Sequence, residues 1–183
     1  MDEILQDFPK IDSPGSFPLS GLQAGPSFSR LTGELESLAL RQAIAQRFAM
    51  DLENRPTLIT VRGRTRDKDG QIHTDTKSKL VTLLLYLNPK WETAGGRLRL
   101  LKNGRNLEDY VEEITPLFGT CLIFRVTENC WHGHRPFVGI RRTVQMNYLV
   151  DDAALRHHSS RHRFSAKWKA FLQRLPGNNV YQD

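Results

Sequence analysis

The stretch KLVTLLLYL, residues 79–87, carries the strongest structural signal in this sequence. It is almost entirely apolar, and it ends at Asn88-Pro89, a pair that interrupts regular structure. The run is too short to cross a membrane, which takes about 20 apolar residues. It therefore predicts a buried strand.

Short strands are predicted on both sides of this stretch, and a helix precedes them. Apolar residues recur at helical spacing from Glu34 to Met50, which predicts one amphipathic helix. Short runs with the composition of strands, punctuated by Gly and Pro, lie at 57–61, 97–101, 120–126 and 142–150. Many short strands after one helix predict a mainly β fold with flanking helices, a jelly roll or double-stranded β-helix.

The chain divides into an N-terminal segment and one domain. Residues 1–30 are rich in Pro, Gly and Ser, which predicts an extended arm. Residues 31–183 are predicted to form a single domain with its core at about 57–150. Apolar residues at helical spacing predict a terminal helix at about 165–175 that docks on the sheet.

Composition is typical of a globular protein. The chain has 183 residues, a formal charge of +6 and only two cysteines. Cys121 and Cys130 lie in apolar surroundings, which predicts buried free thiols and not a disulfide framework. The start of the chain is acidic and lacks an apolar run, so we expect no signal peptide, no membrane partner and a cytoplasmic location.

The tripeptide His73-Thr74-Asp75 is the candidate metal-binding motif, and His132 follows on a later predicted strand. On a strand, residues two apart point to the same face, so His73 and Asp75 could meet one ion. Two imidazoles and one carboxylate are the ligands of a facial Fe(II) triad, which leaves positions open for a co-substrate and O₂. His134 is a rival ligand, because it lies two residues from His132. The other three histidines, at 157, 158 and 162, are in a basic segment and are predicted to be solvated.

The residues around this motif resemble a known family. From His73 onward the chain has, in order, Leu84 to Asn88, Trp91, Gly95 to Arg99, Pro116, Phe124, Trp131-His132, Pro136 and Arg141. Over about residues 57–150 this pattern is similar to the prolyl 4-hydroxylase-type group of 2-oxoglutarate- and Fe(II)-dependent dioxygenases. In that family a ligand histidine precedes a proline by four residues and the 2-oxoglutarate arginine by nine. His132, Pro136 and Arg141 match both spacings, and His134 matches neither.

The resemblance implies a set of cofactors and site residues. It implies Fe(II) held by His73, Asp75 and His132, with 2-oxoglutarate and O₂ as co-substrates; ascorbate is a further cofactor to test. It implies that Arg141 binds the far carboxylate of 2-oxoglutarate, with Arg142 as the alternative. Tyr86 matches a position whose phenol binds the same carboxylate, and it could equally be a core aromatic residue.

The expected activity is hydroxylation of a C–H bond coupled to conversion of 2-oxoglutarate to succinate. The substrate is expected to be a peptide or a small molecule. Arg62, Arg64 and Arg66 alternate along a predicted strand, where they could form a groove for an acidic substrate or a solvated edge. Residues 102–110 form a polar connection that could be part of a lid. No aromatic stacking pattern accompanies the basic residues, so nucleic acid is not the expected partner.

Two alternatives remain open at this point. The first is a non-oxygenase jelly roll that binds a metal or a ligand; Arg141 and the Gly95-Gly96 block argue against it. The second is a nucleic-acid demethylase of the same superfamily. Those enzymes place a second arginine six residues after the 2-oxoglutarate arginine, whereas this chain has Asn147 there.

Overall fold

The computed structural model describes residues 1–160, and two antiparallel sheets form its centre. The strands are β1 (Phe17–Pro18), β2 (Thr57–Thr65), β3 (Lys79–Tyr86), β4 (Leu98–Leu101), β5 (Tyr110–Ile114), β6 (Cys121–Arg125), β7 (His132–His134) and β8 (Gly139–Leu149). One sheet has the order β1-β2-β8-β3-β6 and the other has the order β5-β4-β7. This is the predicted mainly β jelly roll with flanking helices, and the fold prediction is confirmed.

Strand β3 lies inside the larger sheet, where it pairs with β8 on one side and β6 on the other. Its odd-numbered residues, such as Leu83 and Leu85, pack into the core that the helices cover. Its even-numbered residues Leu84 and Tyr86 pack with Leu98 of the smaller sheet. Both faces of β3 are therefore buried, which explains why this stretch is almost continuously apolar.

The predicted single helix from Glu34 to Met50 is wrong, because two helices occupy this region. They are α2 (Pro26–Leu35) and α3 (Leu38–Phe48), which follow the short α1 (Asp2–Gln6). Ser37 interrupts the run, because its backbone is extended and its hydroxyl accepts a hydrogen bond from the backbone N–H of Leu40 at 3.3 Å. A serine in this position satisfies a free N–H at the start of α3, so a new helix begins there.

The segment expected to be an extended arm, residues 1–30, is partly folded onto the domain. It contains α1 and β1, a 3₁₀ turn at Leu19–Gly21, and the start of α2. Strand β1 pairs with β2, with Phe17 opposite Val61. Phe8 and Phe28 meet edge to face at 5.3 Å, and Phe28 is fully buried. Phe28 also belongs to the core cluster that contains Val61 and Val144, which holds the segment on the domain although its Pro and Gly content favours an open chain.

Two further details differ from expectation, and one lies outside the described residues. Cys121 is exposed and Cys130 is half-buried, so the expected burial of both free thiols is wrong for Cys121. His158, expected to be solvated, is buried against Ser78, with its Nε2 2.8 Å from the Ser78 hydroxyl oxygen. The helix predicted at about 165–175, and His162, lie beyond residue 160.

Within residues 1–160, no helix combines the length and the apolar character that a bilayer span needs.

Candidate metal centre and co-substrate cavity

His73 and Asp75 lie in the loop between β2 and β3, not on a strand as predicted. The loop is fixed by backbone hydrogen bonds to β7: His73 and His132 exchange both N–H···O bonds, at 3.0 and 2.9 Å. The N–H of His134 also donates to the carbonyl of Gly70 at 2.8 Å. Backbone pairing therefore brings two residues far apart in sequence into direct contact.

Gly70 makes this close approach possible. Its φ is +85°, a conformation that side chains disfavour, and a Cβ there would lie 2.3 Å from the His134 ring. Gly133 lies opposite, where a Cβ would be 2.9 Å from the carbonyl oxygen of Gly70. Two glycines thus let the loop and β7 pack backbone against backbone.

His73, Asp75 and His132 form a group that could hold a metal ion. Each offers one ligand atom, and these atoms all lie within 4.8 Å of one another. The Nδ1 atom of His73 lies 2.8 Å from the Gln71 carbonyl oxygen, and that of His132 lies 2.8 Å from the Cys130 carbonyl oxygen. Because a carbonyl only accepts, each Nδ1 carries the proton and each Nε2 is left free to bind a metal.

The protonation states of His132 and Asp75 also suit a cation. Burial, together with the neighbouring His73, lowers the pKa of His132, so its imidazole is neutral near pH 7. Burial alone would raise the pKa of Asp75, but the charge of Lys79 and hydrogen bonds from Lys79 and Thr82 outweigh it and lower that pKa. Neutral imidazoles and an ionised carboxylate are the forms that bind metal.

The Asp75 carboxylate is contacted by two side chains that the sequence did not predict to do so. The Lys79 ammonium lies 2.7 Å from one carboxylate oxygen, and the Thr82 hydroxyl donates to the other at 2.5 Å. The Asn147 amide donates to Thr82 at 2.8 Å, and Gln145 donates to Asn147 at 3.1 Å. The two-residue period of β8 sends 143, 145 and 147 to the same face as 141, and this signal in the sequence places Gln145 and Asn147 behind Thr82.

Arg141 and Tyr86 lie together on the inner face of the larger sheet. Arg141 is 5% exposed and Tyr86 is fully buried. The Arg141 guanidinium donates to the Gly96 carbonyl at 2.9 Å and more weakly to the hydroxyls of Thr143 and Tyr86, at 3.4 and 3.5 Å. Burial raises the pKa of Tyr86, with Arg141 opposing the rise, so the phenol keeps its proton.

The neighbouring arginine, Arg142, points the other way. Its guanidinium lies 5.6 Å from the ring centroid of Phe8, on the outer face of the sheet. Strand alternation thus separates Arg141 from Arg142, in the manner expected from the sequence.

One cavity connects the two groups. Its wall includes His73, Asp75 and His132 at one place and Tyr86 and Arg141 at another. His134 lines the same cavity but is not part of the ligand group. Burial, with the nearby Arg141 and Arg62, lowers the pKa of His134 to about 4, so this imidazole is neutral. A metal chelate and an anionic tail could therefore share one cavity.

The 102–110 connection is tied to the smaller sheet. Glu108 accepts hydrogen bonds from Arg99 at 2.6 Å and from Arg135 at 2.7 and 3.0 Å. The hydrogen bond from Arg135 has the largest effect on the pKa of Glu108, and together with that from Arg99 it lowers this pKa to about 2. These ion pairs hold the connection beside β7, and a role as a lid stays a prediction.

Comparison with known proteins shows which family this chain is similar to. Residues 63–149 match the model of the 2OG-Fe(II) oxygenase superfamily. The match begins in β2 and ends with β8, so it includes the loop with His73 and Asp75, His132 and Arg141. A search of curated protein sequences returned no match.

Solved structures of prolyl hydroxylases have a similar fold. A prolyl-4-hydroxylase from Pseudomonas putida gives a TM-score of 0.54 with 23% identity, over 68% of this chain and 63% of that one. A prolyl 4-hydroxylase structure from Phytophthora capsici gives a TM-score of 0.51 with 17% identity, over 73% of this chain and 47% of that one. A truncated collagen prolyl hydroxylase from Paramecium Bursaria Chlorella virus-1 gives a TM-score of 0.51 with 12% identity, over 82% of this chain and 81% of that one.

This chain spans 63% of the length of the first of these structures and 47% of the length of the second. At these identities the likeness concerns the fold. The family model and the fold agree, and the donor set of the site suits the metal. Residues 63–149 are therefore similar to the 2OG-Fe(II) oxygenase superfamily, and the likeness of the fold to the prolyl hydroxylase structures agrees with that similarity.

Proposed function

We propose that this protein is a hydroxylase that couples oxidation of a substrate C–H bond to decarboxylation of 2-oxoglutarate. The observation that carries the proposal is the single cavity that joins the His73, Asp75 and His132 group to Arg141 and Tyr86. When bound, Fe(II) with 2-oxoglutarate and O₂ supplies the oxidising chemistry, and succinate and CO₂ are the co-products. The chain's own residues bind, orient and enclose these groups.

His73, Asp75 and His132 are proposed as the metal ligands. Their free Nε2 atoms and ionised carboxylate offer two nitrogens and one oxygen, which is the donor set of a facial Fe(II) triad. The backbone pairing of His73 with His132 fixes two of the three ligands before the metal binds. Such pre-organisation lowers the cost of ordering the site.

Arg141 and Tyr86 are proposed to bind the far carboxylate of 2-oxoglutarate. A guanidinium remains charged when it is buried, and its fork of N–H groups matches a carboxylate. The Gly96 carbonyl holds the Nε side of Arg141, so the terminal amino groups stay directed toward Thr143 and Tyr86. The Tyr86 hydroxyl can then add a second donor to the same anion.

The substrate is proposed to be a peptide or a small molecule. Asn147, which stands where demethylases carry a second arginine, is 2% exposed and is engaged with Thr82 and Gln145. It is therefore committed to the hydrogen bonds behind Asp75, which disfavours the nucleic-acid demethylase alternative.

The test is succinate release from 2-oxoglutarate in the presence of Fe(II) and O₂, screened over peptides, free amino acids and nucleotides. His73→Ala, Asp75→Ala and His132→Ala should each abolish coupled succinate formation. His157→Ala, at an exposed position, is the matched control and should retain it. Full activity in any of the three variants would refute the ligand assignment. Stimulation by nucleotides alone would favour the demethylase alternative.

A further inference from the structure

The cavity contains a second arginine, Arg62, which the proposed 2-oxoglutarate site does not use. On β2, Arg62 pairs with Thr143 of β8 and lines the cavity. The register between the two strands then shifts, and Arg64 is exposed on the outer face beside Arg142. Of the alternating arginines in the sequence, Arg62 reaches the inside and Arg64 does not.

Arg62 is held in place but keeps donors to spare. Its Nη1 donates to Asp69 at 2.9 Å, and its Nη2 donates to the Ser16 hydroxyl at 3.2 Å. A guanidinium has five N–H donors, and within residues 1–160 these are the two bonds that Arg62 makes. The side chain is 26% exposed, so its remaining donors are accessible to a molecule in the cavity.

The charges around Arg62 leave a positive excess. Asp69 is shared, because Arg66 also contacts it at 3.4 Å. Burial lowers the pKa of Arg62, Asp69 opposes this, and the like charge of the nearby Arg141 lowers it further. A divalent metal on Asp75 and a 2-oxoglutarate dianion would cancel each other's charge. The positive charge on Arg62 would then still lack a full counterion.

We propose that Arg62 binds a carboxylate of the primary substrate, so that the substrate class of this hydroxylase is an organic acid. This inference rests on the proposed function, because the metal and Arg141 must already hold the two ends of 2-oxoglutarate. The carboxylate belongs either to a free small acid or to an acidic side chain or C-terminus of a peptide. Asp69 and Ser16 restrain the guanidinium, so little rotamer freedom is lost when the anion binds.

The experiment uses the full chain with Mn(II) in place of Fe(II), without O₂, so that binding is measured apart from turnover. The dissociation constant of 2-oxoglutarate is measured first. Matched acid and amide pairs are then titrated into that complex: free amino acids with their amides, and peptides with acidic or amidated C-termini and with Asp or Asn side chains. The variants are Arg62→Gln and Arg62→Lys, with Arg64→Gln as the matched control on the same strand.

In the parent chain and in Arg64→Gln, at least one acid should bind about 30-fold more tightly than its amide, as expected for a hydrogen-bonded charge pair at a largely buried arginine. Arg62→Gln should lose this preference while its 2-oxoglutarate affinity stays near the parent value, which also shows that the variant is folded. Arg62→Lys should retain part of the preference, because it keeps the charge but not the fork geometry. Free acids and peptides in the panel distinguish the two sources of the carboxylate.

Three outcomes would overturn the inference. The first is a parent chain that binds no acid better than its amide. The second is a preference that survives in Arg62→Gln. The third is a loss of 2-oxoglutarate affinity in Arg62→Gln as large as that in Arg141→Gln, which would make Arg62 a co-substrate residue. If the parent chain bound no 2-oxoglutarate with Mn(II), the proposed function itself would fail, which is a separate result.

Discussion

Replacement of Arg141 by glutamine should weaken 2-oxoglutarate binding and leave metal binding in place. Arg141 is 5% exposed and its guanidinium is directed to Thr143 and Tyr86, so a bound carboxylate would be shielded from water there. Removing one member of a buried, hydrogen-bonded charge pair costs about 2–5 kcal/mol. The dissociation constant of 2-oxoglutarate should therefore rise by at least about 30-fold.

The same change should lower stability to a smaller extent. The Gly96 carbonyl now accepts from Arg141 Nε at 2.9 Å in a buried position, and the shorter glutamine does not reproduce this bond. An unsatisfied buried acceptor costs about 1–3 kcal/mol. A parallel denaturation curve separates this loss from the loss of affinity.

Arg142→Gln is the matched control, since it removes the adjacent guanidinium on the outer face. Arg142 and Phe8 are both half-buried, and the guanidinium lies 5.6 Å from the Phe8 ring centroid, a contact worth about 0.5–2 kcal/mol. Anaerobic titration with Fe(II), followed by the visible band of the complex, measures the affinity in both variants. If Arg142→Gln lost the affinity and Arg141→Gln kept it, the assignment from strand alternation would be refuted.

Three further predictions concern the metal loop and the smaller sheet. Lys79→Met should destabilise the metal-free protein by about 3 kcal/mol, because Asp75 is then a buried charge without its partner. Added Mn(II) should raise the melting temperature of that variant more than that of the parent, and an equal rise would contradict the prediction. Gly70→Ala should destabilise by about 1–3 kcal/mol, because its φ is +85° and its Cβ would strike a ring. In contrast, Gly33→Ala on the open side of α2 should stabilise by about 0.5–1 kcal/mol, and both are measured by urea unfolding. The pKa of Glu108 is about 2 in the folded chain and 4.5 ordinarily, so its contribution is complete above pH 4.5 and is lost as the pH falls toward 2. Glu108→Gln should therefore show a weaker decline of melting temperature over that range, and an unchanged decline would argue against the ion pairs.

Much of the fold was predictable because strand signals are local. The run at 79–87, the strands near 57, 97, 121 and 142, and the jelly-roll class all follow from composition and punctuation within short windows. The two failures differ in cause. One serine with an extended backbone divides the predicted helix at 34–50, which is a local cause. The folding of residues 1–30 onto the domain has a non-local cause, because Phe17 pairs with Val61 and Phe28 packs in the core cluster.

The sequence by itself determined which residues are candidates for the site and which side chains of β8 share a face of the sheet. The family resemblance followed from the order and spacing of His73, Asp75, His132 and Arg141 together with the motifs between them. The two-residue period of β8 was sufficient to separate Arg141 from Arg142, because alternation is a property of the strand alone.

Only the tertiary structure decided how these residues meet. The backbone pairing of His73 with His132, the ammonium of Lys79 on Asp75, and the register shift that separates Arg62 from Arg64 all depend on how distant segments align. Local sequence does not specify that alignment, because sheet register is set by packing and by irregular loops, and a shift of one residue moves a side chain to the other face. The candidate metal ligands were therefore predictable from the sequence, whereas only the folded chain shows that Arg62, and not Arg64, lines the cavity.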